Sequence, residues 1–337
     1  MGRVRIFFRA DGHQRMGLGH VIRSLALAEM LQKEYDIVFA IRTPLQSLEK
    51  QIRDLGIETL LLPQPSSDLL EAHWLCQEHL RENDIVVVDG YHFATDYQQV
   101  IKDFGCQLVA IDDIHSFPFL ADVVINHALG IERRDYQLAK NCELLLGTQY
   151  CLLRKAFRMA EKRSPKQQIN GPMLLCLGGA DPQNDTLRIL QKLNAIGLER
   201  DIKLVIGAAY TQHISLEKFL EGIESNVEIF QDLSAADLLA LFYQCPVAIL
   251  PPSTIAYEYL SIGGLLFLEV IADNQKRMFE SFVAAQLAFP LDELQSSLMI
   301  SQTAWQDLLS RQATYFDGQQ QARFKHIFAQ LAVTMVS

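Results

Sequence analysis

The chain has 337 residues, of which 40 are acidic and 30 basic, so its formal charge is −10. Hydrophobic residues make up 49% and charged residues 21%, proportions of a globular protein that exclude wholesale disorder. The acidic balance argues against nucleic acid or stable membrane association as partners, and no apolar run approaches the roughly 20 residues of a membrane helix. We expect a cytoplasmic protein without a signal peptide, whose six scattered cysteines are buried free thiols.

Short β-rich runs alternate with helical patterns along the whole chain. The first series of predicted strands is Val4–Arg9, Ile37–Ile41, Glu58–Leu62, Asp84–Asp89, Gln107–Asp112 and Val123–Asn126. The clearest helix runs from Val21 to Lys33. The second series is Met173–Leu177, Lys203–Ile206, Val227–Phe230, Val247–Leu250 and Leu265–Val270. This alternation predicts an α/β fold of two Rossmann-like domains, whose parallel sheets face each other across a cleft.

The two halves are separated by a polar segment. Residues 163–172, RSPKQQINGP, contain two prolines and one glycine and show no apolar periodicity. We therefore predict an N-terminal domain over residues 1–163 and a C-terminal domain over residues 171–317. Residues 318–337 resemble one amphipathic helix, with Phe324, Ile327 and Phe328 at helical spacing, which can pack back on the first domain.

The first strand is followed by a glycine-rich loop that leads into the first helix. Gly17 and Gly19 permit a tight turn and a close approach of the backbone to a ligand. His20 stands at the start of the helix, where the helix dipole disfavours the imidazolium, so a neutral ring can take a proton from water. The alternative is a histidine that only caps the helix. Asp11, at the end of the strand, can orient the ring or bind sugar hydroxyls.

Further polar residues follow the later strands of the first half. Tyr91 comes directly after a buried strand, where it can face a ligand or pack beneath its loop. Asp112, Asp113 and His115 invite a metal site, but their spacing is loose and no second cluster completes a ligand set, so we expect no metal there. Asn126 closes the next strand and can face the cleft.

The second half repeats the order of strand, glycine turn and helix at residues 177–185. Such a turn suits a diphosphate, because no side chain blocks the backbone amides, although a plain tight connection is the alternative. Further on, Ser253 or Thr254 can cap a helix whose N-terminus can hold a phosphate. Pro251 and Pro252 precede them, and Pro252 has no N–H to donate.

Six segments in order along the chain carry a family resemblance. They are RADGHQRMGLGHVIRSLALAEML, VVVDGYHF, AIDDIHSFPFLADVVIN, LLLGTQYCLLRKAF, LLCLGGADPQN and STIAYEYLSIGG. Together they resemble the UDP-2,4-diacetamido-2,4,6-trideoxy-β-L-altropyranose hydrolases of pseudaminic acid biosynthesis, which are relatives of the GT-B glycosyltransferases. The opening segment is fairly specific to this family, whereas the match at the level of the fold is not.

The resemblance implies a mechanism and a set of site residues. His20 would be the base that deprotonates a water, which attacks the anomeric carbon with inversion while UDP leaves, and Tyr91 would be the active-site tyrosine. The family needs neither a metal nor a cofactor, and its acidic pair at Asp112 and Asp113 would be structural. The residues that the resemblance places near the UDP or the sugar are Gly178, Gly179, Asp181, Asn184, Glu258, Asn274 and Gln275. The two prolines before Ser253 depart from the small residues usual in the family.

Two other functions remain open from the sequence. A GT-B glycosyltransferase with a UDP-amino sugar donor would share the fold and the donor site, so only the acceptor side would separate it from a hydrolase. A non-catalytic sensor of nucleotide sugars would need no base at His20. As partners we expect the UDP-sugar substrate alone, on a monomeric chain.

Overall fold

The computed structural model describes residues 3–12, 18–64, 67–167, 169–179, 181–207, 209–223 and 225–334. Contacts within the chain divide it into two compact units. The first unit comprises Met1–Lys155 and Gly318–Ser337, and the second comprises Ala156–Asp317.

The first unit is built on a seven-stranded parallel sheet. Its strands are β1 (Arg5–Ala10), β2 (Asp36–Arg42), β3 (Glu58–Leu62), β4 (Ile85–Asp89), β5 (Gln107–Ile111), β6 (Val123–Asn126) and β7 (Glu143–Leu146). They are arranged in the order β3-β2-β1-β4-β5-β6-β7. The chain therefore moves outward from β1 in one direction and returns to place β4 on its other side, which makes the β1/β4 boundary the topological switch point.

Helices cover both faces of this sheet. They are α1 (Gly19–Leu31), α2 (Gln46–Asp54), α3 (Asp68–Glu78), α4 (Thr95–Asp103) and α13 (Gln320–Thr334). The short α5 (Lys155–Arg158) begins at the boundary between the units and belongs to the second one from Ala156 onward. Side chains alternate along β1, so Phe8 packs beneath α1 and α13 whereas Phe7 packs on the opposite side with residues of α3 and α4. The last helix joins the first core through Phe324 and Phe328, both fully buried.

The second unit repeats the arrangement with a six-stranded parallel sheet. Its strands are β8 (Met173–Cys176), β9 (Ile202–Ile206), β10 (Val227–Gln231), β11 (Val247–Leu250), β12 (Leu265–Leu268) and β13 (Phe289–Pro290), in the order β10-β9-β8-β11-β12-β13. Its helices are α6 (Asp185–Ala195), α7 (His213–Leu220), α8 (Ala235–Gln244), α9 (Thr254–Ile262), α10 (Lys276–Ala284), α11 (Leu294–Ser297) and α12 (Gln302–Tyr315). The switch point lies between β8 and β11. The predicted α/β class, with a parallel sheet in each half, is confirmed.

The structure differs from the expected domain boundary. The sequence predicts a first domain ending at residue 163 and a linker from there, but the first unit ends at Lys155. Arg163 is buried in the second unit, where its guanidinium donates to the carbonyl oxygens of Gly263, Tyr243 and Cys245. A polar sequence can thus belong to a packed unit when its charged side chain satisfies backbone carbonyls that water cannot reach.

Two further expectations concern the environment of the chain. All six cysteines are buried free thiols. Among the described helices, none is both long and apolar enough to cross a membrane.

Candidate functional site

The switch point of the first sheet brings His20 and Asp89 together. Ala10 and Asp89 pair as the last residues of the adjacent strands β1 and β4, so both strands present their carboxyl ends at the same edge. The chain leaves β1 through the glycine-rich loop, and α1 begins at Gly19, which puts His20 in the first turn of the helix above this edge. Ligands of open α/β sheets usually bind at this place.

His20 and Asp89 form a buried hydrogen-bonded pair. The distance from His20 Nδ1 to Asp89 Oδ1 is 2.7 Å, and the two residues are 7% and 1% exposed. An ionised carboxylate can only accept, so Nδ1 donates the hydrogen bond, and in a neutral imidazole Nε2 then keeps its lone pair. Asp89 therefore selects the tautomer in which Nε2 acts as a base.

Asp89 is held by three further donors. Arg23 donates from Nε to Oδ2 at 2.7 Å and from Nη2 to Oδ1 at 2.6 Å, and the Ser24 hydroxyl donates to Oδ2 at 3.0 Å. Burial alone would raise the pKa of Asp89, but the positive charge of Arg23 outweighs it and holds that pKa below its ordinary value. Asp89 is consequently ionised at neutral pH.

Tyr91 and Asp113 complete this cluster of five side chains, which we call the His20 site (His20, Arg23, Asp89, Tyr91 and Asp113). Tyr91 meets the His20 ring edge to face, with ring centroids 4.8 Å apart and planes at 85°, and is 43% exposed. Asp113 Oδ2 accepts from Arg23 Nη1 at 2.8 Å. Burial and the neighbouring charge of Asp113 raise the pKa of Tyr91 to about 12, so its hydroxyl stays protonated and can donate.

Asp11 belongs to a different cluster. It accepts from Arg9 through both oxygens, at 2.6 and 2.7 Å, and its Oδ1 also accepts from the backbone N–H of Arg42. Both arginines also bind the buried carboxylate of Glu71. Among the described residues, the carboxylate that orients the His20 ring is therefore Asp89 and not Asp11. The negative charge of Asp11, at the start of the glycine-rich loop, is therefore balanced by Arg9 and Arg42.

Of the two glycines predicted to shape the glycine-rich loop, the structure describes only Gly19. Gly19 is the exposed first residue of α1. Gly17 lies outside the described residues.

Asp112 and Asn126 organise the loops after β5 and β6. The Tyr136 hydroxyl donates to Asp112 Oδ2 at 2.7 Å and accepts from Asn126 Nδ2 at 2.8 Å. Asp112 also accepts from the backbone N–H of His115, and Asn126 accepts from that of Ala128. The side chains of Asp112 and Asn126 therefore hold the loops after β5 and β6 in place. Within the described ranges, no three His, Cys, Asp or Glu side chains are grouped so that they could hold a metal ion.

In the second unit, the loop after β8 is shaped by its glycines and by Asp181. Gly178 has φ of 105°, in the region that favours glycine. Asp181 is buried, and its two oxygens accept from the backbone N–H groups of Asp185 and Thr186 at 2.7 and 2.8 Å, so it caps α6. A Cβ on Gly207 would lie 2.2 Å from the carbonyl oxygen of Gly179, which brings the loops after β8 and β9 into backbone contact.

Asn184 precedes α6 in a left-handed conformation, with φ of 56°. Its side chain accepts from the Tyr210 hydroxyl at 2.8 Å and donates to Ser215 at 3.1 Å. The residue therefore joins the start of α6 to the loop and helix that follow β9.

The loop after β11 leads into α9 beside the same switch point. Pro251 and Pro252 are buried, and Ser253 takes the N-cap position with extended backbone. Within the described residues the Ser253 side chain makes no capping hydrogen bond, contrary to the expected capping role, while Thr254 is half-buried. Glu258 lies one turn further along α9 and is 1% exposed.

Asn274 and Gln275 form part of a short 3-10 turn after β12, residues Asp273–Gln275. Asn274 is exposed. The side chain of Gln275 accepts from the backbone N–H of Ile271 at 3.0 Å and so closes the turn on itself.

Sequence reasoning missed Asp89 and Arg23, the two charged residues in contact with His20. Signals for both were available. Asp89 is the one charged residue at the end of the buried run VVVD, and Arg23 follows His20 by three residues on the same face of a helix. Charged residues at such positions are rarely buried without a partner.

The chain is similar to solved structures at the level of the fold. No protein-family model matches the chain. MurG of Acinetobacter baumannii superimposes over 93% of this chain and 95% of its own, with a TM-score of 0.64 and 13% identity. The kitacinnamycin glycotransferase does so over 98% and 100%, with a TM-score of 0.66 and 14% identity. The chain thus has the two-Rossmann fold of the GT-B glycosyltransferases.

Three proteins are similar to this chain in sequence over most of its length. The UDP-2,4-diacetamido-2,4,6-trideoxy-beta-L-altropyranose hydrolase of Campylobacter jejuni is 26% identical over 233 residues, which is 68% of this chain and 78% of that protein. The spore coat polysaccharide biosynthesis protein SpsG of Bacillus subtilis is 23% identical over 293 residues, 85% of this chain and 83% of that protein. The uncharacterized protein MJ1062 of Methanocaldococcus jannaschii is 25% identical over 292 residues, 83% of this chain, and the match spans 58% of its length.

Proposed function

We propose that the protein acts on a UDP-sugar and hydrolyses UDP-2,4-diacetamido-2,4,6-trideoxy-β-L-altropyranose to UDP and 2,4-diacetamido-2,4,6-trideoxy-L-altrose. The observation that carries the proposal is the buried His20–Asp89 pair at the switch point of the first sheet, 2.7 Å between Nδ1 and Oδ1. The similarity to the Campylobacter hydrolase supports the choice of substrate.

The pair supplies the chemistry that hydrolysis requires. Nε2 of His20 takes a proton from water as the water oxygen bonds to the anomeric carbon, and the bond from that carbon to the diphosphate oxygen breaks on the opposite face. The electron pair of the broken bond leaves with UDP, the configuration inverts, and the proton passes from His20 to solvent. General-base help of this kind is worth on the order of 10²–10⁴-fold.

Tyr91 is placed to assist the same step. Its phenol stays protonated because burial and the charge of Asp113 raise its pKa to about 12. A protonated hydroxyl next to the His20 ring can donate to a sugar oxygen or hold the attacking water. We therefore assign Tyr91 to the catalytic residues with His20.

The second unit would hold the nucleotide. The loops after β8 and β11 both lie at its switch point. Ser253 makes no side-chain capping hydrogen bond at the start of α9, so the N–H groups there suit a diphosphate. At the start of α6, Asp181 already binds the N–H groups of Asp185 and Thr186, so that loop would contribute through Gly178 and Gly179. The proposed contacts are Gly178, Gly179, Asp181, Asn184, Ser253, Thr254 and Glu258, with Asn274 and Gln275 near the sugar and Asp11, Gly17 and Gly19 from the first unit. UDP is a good leaving group, so no metal or strong general acid is invoked.

The experiment follows UDP release from this substrate in the presence of EDTA and without an acceptor. We expect rapid release that falls at least about 100-fold in His20→Asn. His73→Asn is the matched control, because His73 is an exposed histidine on α3 of the same unit. In H₂¹⁸O the label should be absent from the phosphate of UDP, and the first anomer seen by NMR should be the inverted one.

Three results would refute the hydrolase. Turnover only after an acceptor is added would indicate the GT-B glycosyltransferase with a UDP-amino sugar donor. Binding without turnover would indicate a sensor. Full activity in His20→Asn would remove the histidine from the mechanism.

A further inference from the structure

Arg23 lies at the centre of the His20 site. It follows His20 by one helical turn of α1, and its side chain is 8% exposed. Nε and Nη2 bind Asp89 at 2.7 and 2.6 Å, while Nη1 binds Asp113 at 2.8 Å. One planar guanidinium thus fixes two carboxylates from different strands: Asp89 is the last residue of β4, and Asp113 follows β5.

Each of these carboxylates contacts one of the two groups assigned to the reaction. Asp89 holds Nδ1 of His20, and Asp113 lies beside the Tyr91 hydroxyl. We propose that Arg23 is a positioning residue that aligns His20 and Tyr91 with each other through Asp89 and Asp113. The inference rests on the proposed function, in which His20 is the base.

Arg23 also approaches the imidazole itself. Its Nη2 lies 3.0 Å from His20 Nδ1 while its three nitrogens bind the two carboxylates. A displaced guanidinium would therefore disturb the ring directly as well as through Asp89.

The geometry requires arginine and not merely a positive charge. Lysine offers three donors around one nitrogen, so it cannot reach both oxygens of Asp89 and also Asp113 in one plane. Arg23→Lys therefore tests alignment with the positive charge kept, whereas Arg23→Gln removes the planar fork and the charge together.

Arg5 supplies a matched control. It also grips a buried carboxylate with its fork, donating from Nε to Asp84 Oδ1 at 3.0 Å and from Nη2 to Oδ2. This pair lies at the amino end of β1 and β4, at the opposite end of those strands from His20. Arg5→Lys and Arg5→Gln therefore report the cost of losing a buried ion pair in the same unit without touching the site.

The first measurement is steady-state kinetics per folded molecule, with the UDP-sugar that the wild type hydrolyses. For Arg23→Lys we expect kcat to fall about 30- to 100-fold with KM changed less than about threefold. For Arg23→Gln we expect a larger fall in kcat, because Asp89 and Asp113 both lose their charged donor. In the background of Asp89→Asn, Arg23→Gln should cost much less, because its action on His20 passes through Asp89.

The second measurement needs no substrate. In protein with ¹⁵N-labelled histidine, the Nδ1–H proton of His20, identified by its absence in His20→Asn, should move or broaden in Arg23→Lys and stay in place in Arg5→Lys. If Arg23→Gln does not fold, the Arg23→Lys arm still decides. An unchanged Nδ1–H signal in Arg23→Lys, or kinetics matching those of Arg5→Lys, would overturn the proposal. A wild type that hydrolyses no UDP-sugar would instead refute the proposed function.

Discussion

Replacing Asp89 by asparagine removes one charge while keeping the shape of the side chain. Asp89 accepts four hydrogen bonds: Oδ1 from His20 Nδ1 and Arg23 Nη2, and Oδ2 from Arg23 Nε and the Ser24 hydroxyl. An amide has one oxygen that accepts and one NH₂ group that donates. Whichever way the asparagine is turned, two of the four donors face its NH₂ group.

The cost can be estimated from these contacts. Each hydrogen bond to a charged group is worth about 1.5–3 kcal/mol, so the loss of two should lower the free energy of unfolding by about 3–6 kcal/mol. With NH₂ toward the ring, Nδ1 must accept, the proton moves to Nε2, and the base is lost. We expect kcat for UDP release to fall about 10²–10⁴-fold, with KM nearly unchanged.

Asp84→Asn separates catalysis from stability. Asp84 is equally buried, and it binds Arg5 and the backbone N–H of Arg81 at the other end of the same strand. We expect both variants to unfold at lower urea concentration, but only Asp89→Asn to lose turnover per folded molecule. An Asp89→Asn protein that keeps more than about half of the wild-type kcat would refute the assignment of Asp89 as the partner of the base.

The strands could be predicted well wherever they are buried on both faces. Val123–Asn126 and Val247–Leu250 have the predicted bounds, because a central parallel strand is a short, nearly continuous apolar run. Glu58–Leu62 also has the predicted bounds, although it is the outermost strand of its sheet and only Leu62 is buried. The missed strands are the outermost of their sheets. Glu143–Leu146 is half-exposed and Phe289–Pro290 has two residues, so neither leaves a recognisable pattern.

Only the part of the site that depends on residues neighbouring in sequence could be predicted. The position of His20 at the start of a helix depends on the glycines and apolar residues next to it. Its pairing with Asp89, 69 residues away, depends on β4 lying beside β1, and the hydrophobic pattern does not determine strand order. Asp11 is closer in sequence and was the natural candidate, but its oxygens face Arg9 and Arg42 on the other side of β1.

Three further predictions concern other parts of the chain. Phe328→Ala removes a fully buried ring that α13 contributes to the first core, so the free energy of unfolding should fall by about 3–5 kcal/mol in urea titrations. Gly207→Ala places a Cβ 2.2 Å from the carbonyl oxygen of Gly179, so UDP affinity measured by calorimetry should fall about tenfold. Asp113→Asn should lower stability at pH 7, and this difference should vanish in acid.

The control for Phe328→Ala is Val333→Ala on the same helix, which is 68% exposed and should change stability by less than about 0.5 kcal/mol. Unchanged UDP affinity in Gly207→Ala would show that the loop after β9 is not part of the nucleotide site.

For Asp113, burial opposes ionisation, but the guanidinium of Arg23 beside it holds the pKa of this carboxyl below the ordinary value. Its contribution is therefore present above the unfolded-state pKa of about 3.9 and is lost as the pH falls through the lower folded-state pKa. Wild type and Asp113→Asn should thus differ in urea midpoint at pH 7 and 5, and the difference should shrink progressively as the pH falls below about 4. A difference that persists unchanged at lower pH would mean that packing, not charge, stabilises the protein at this position.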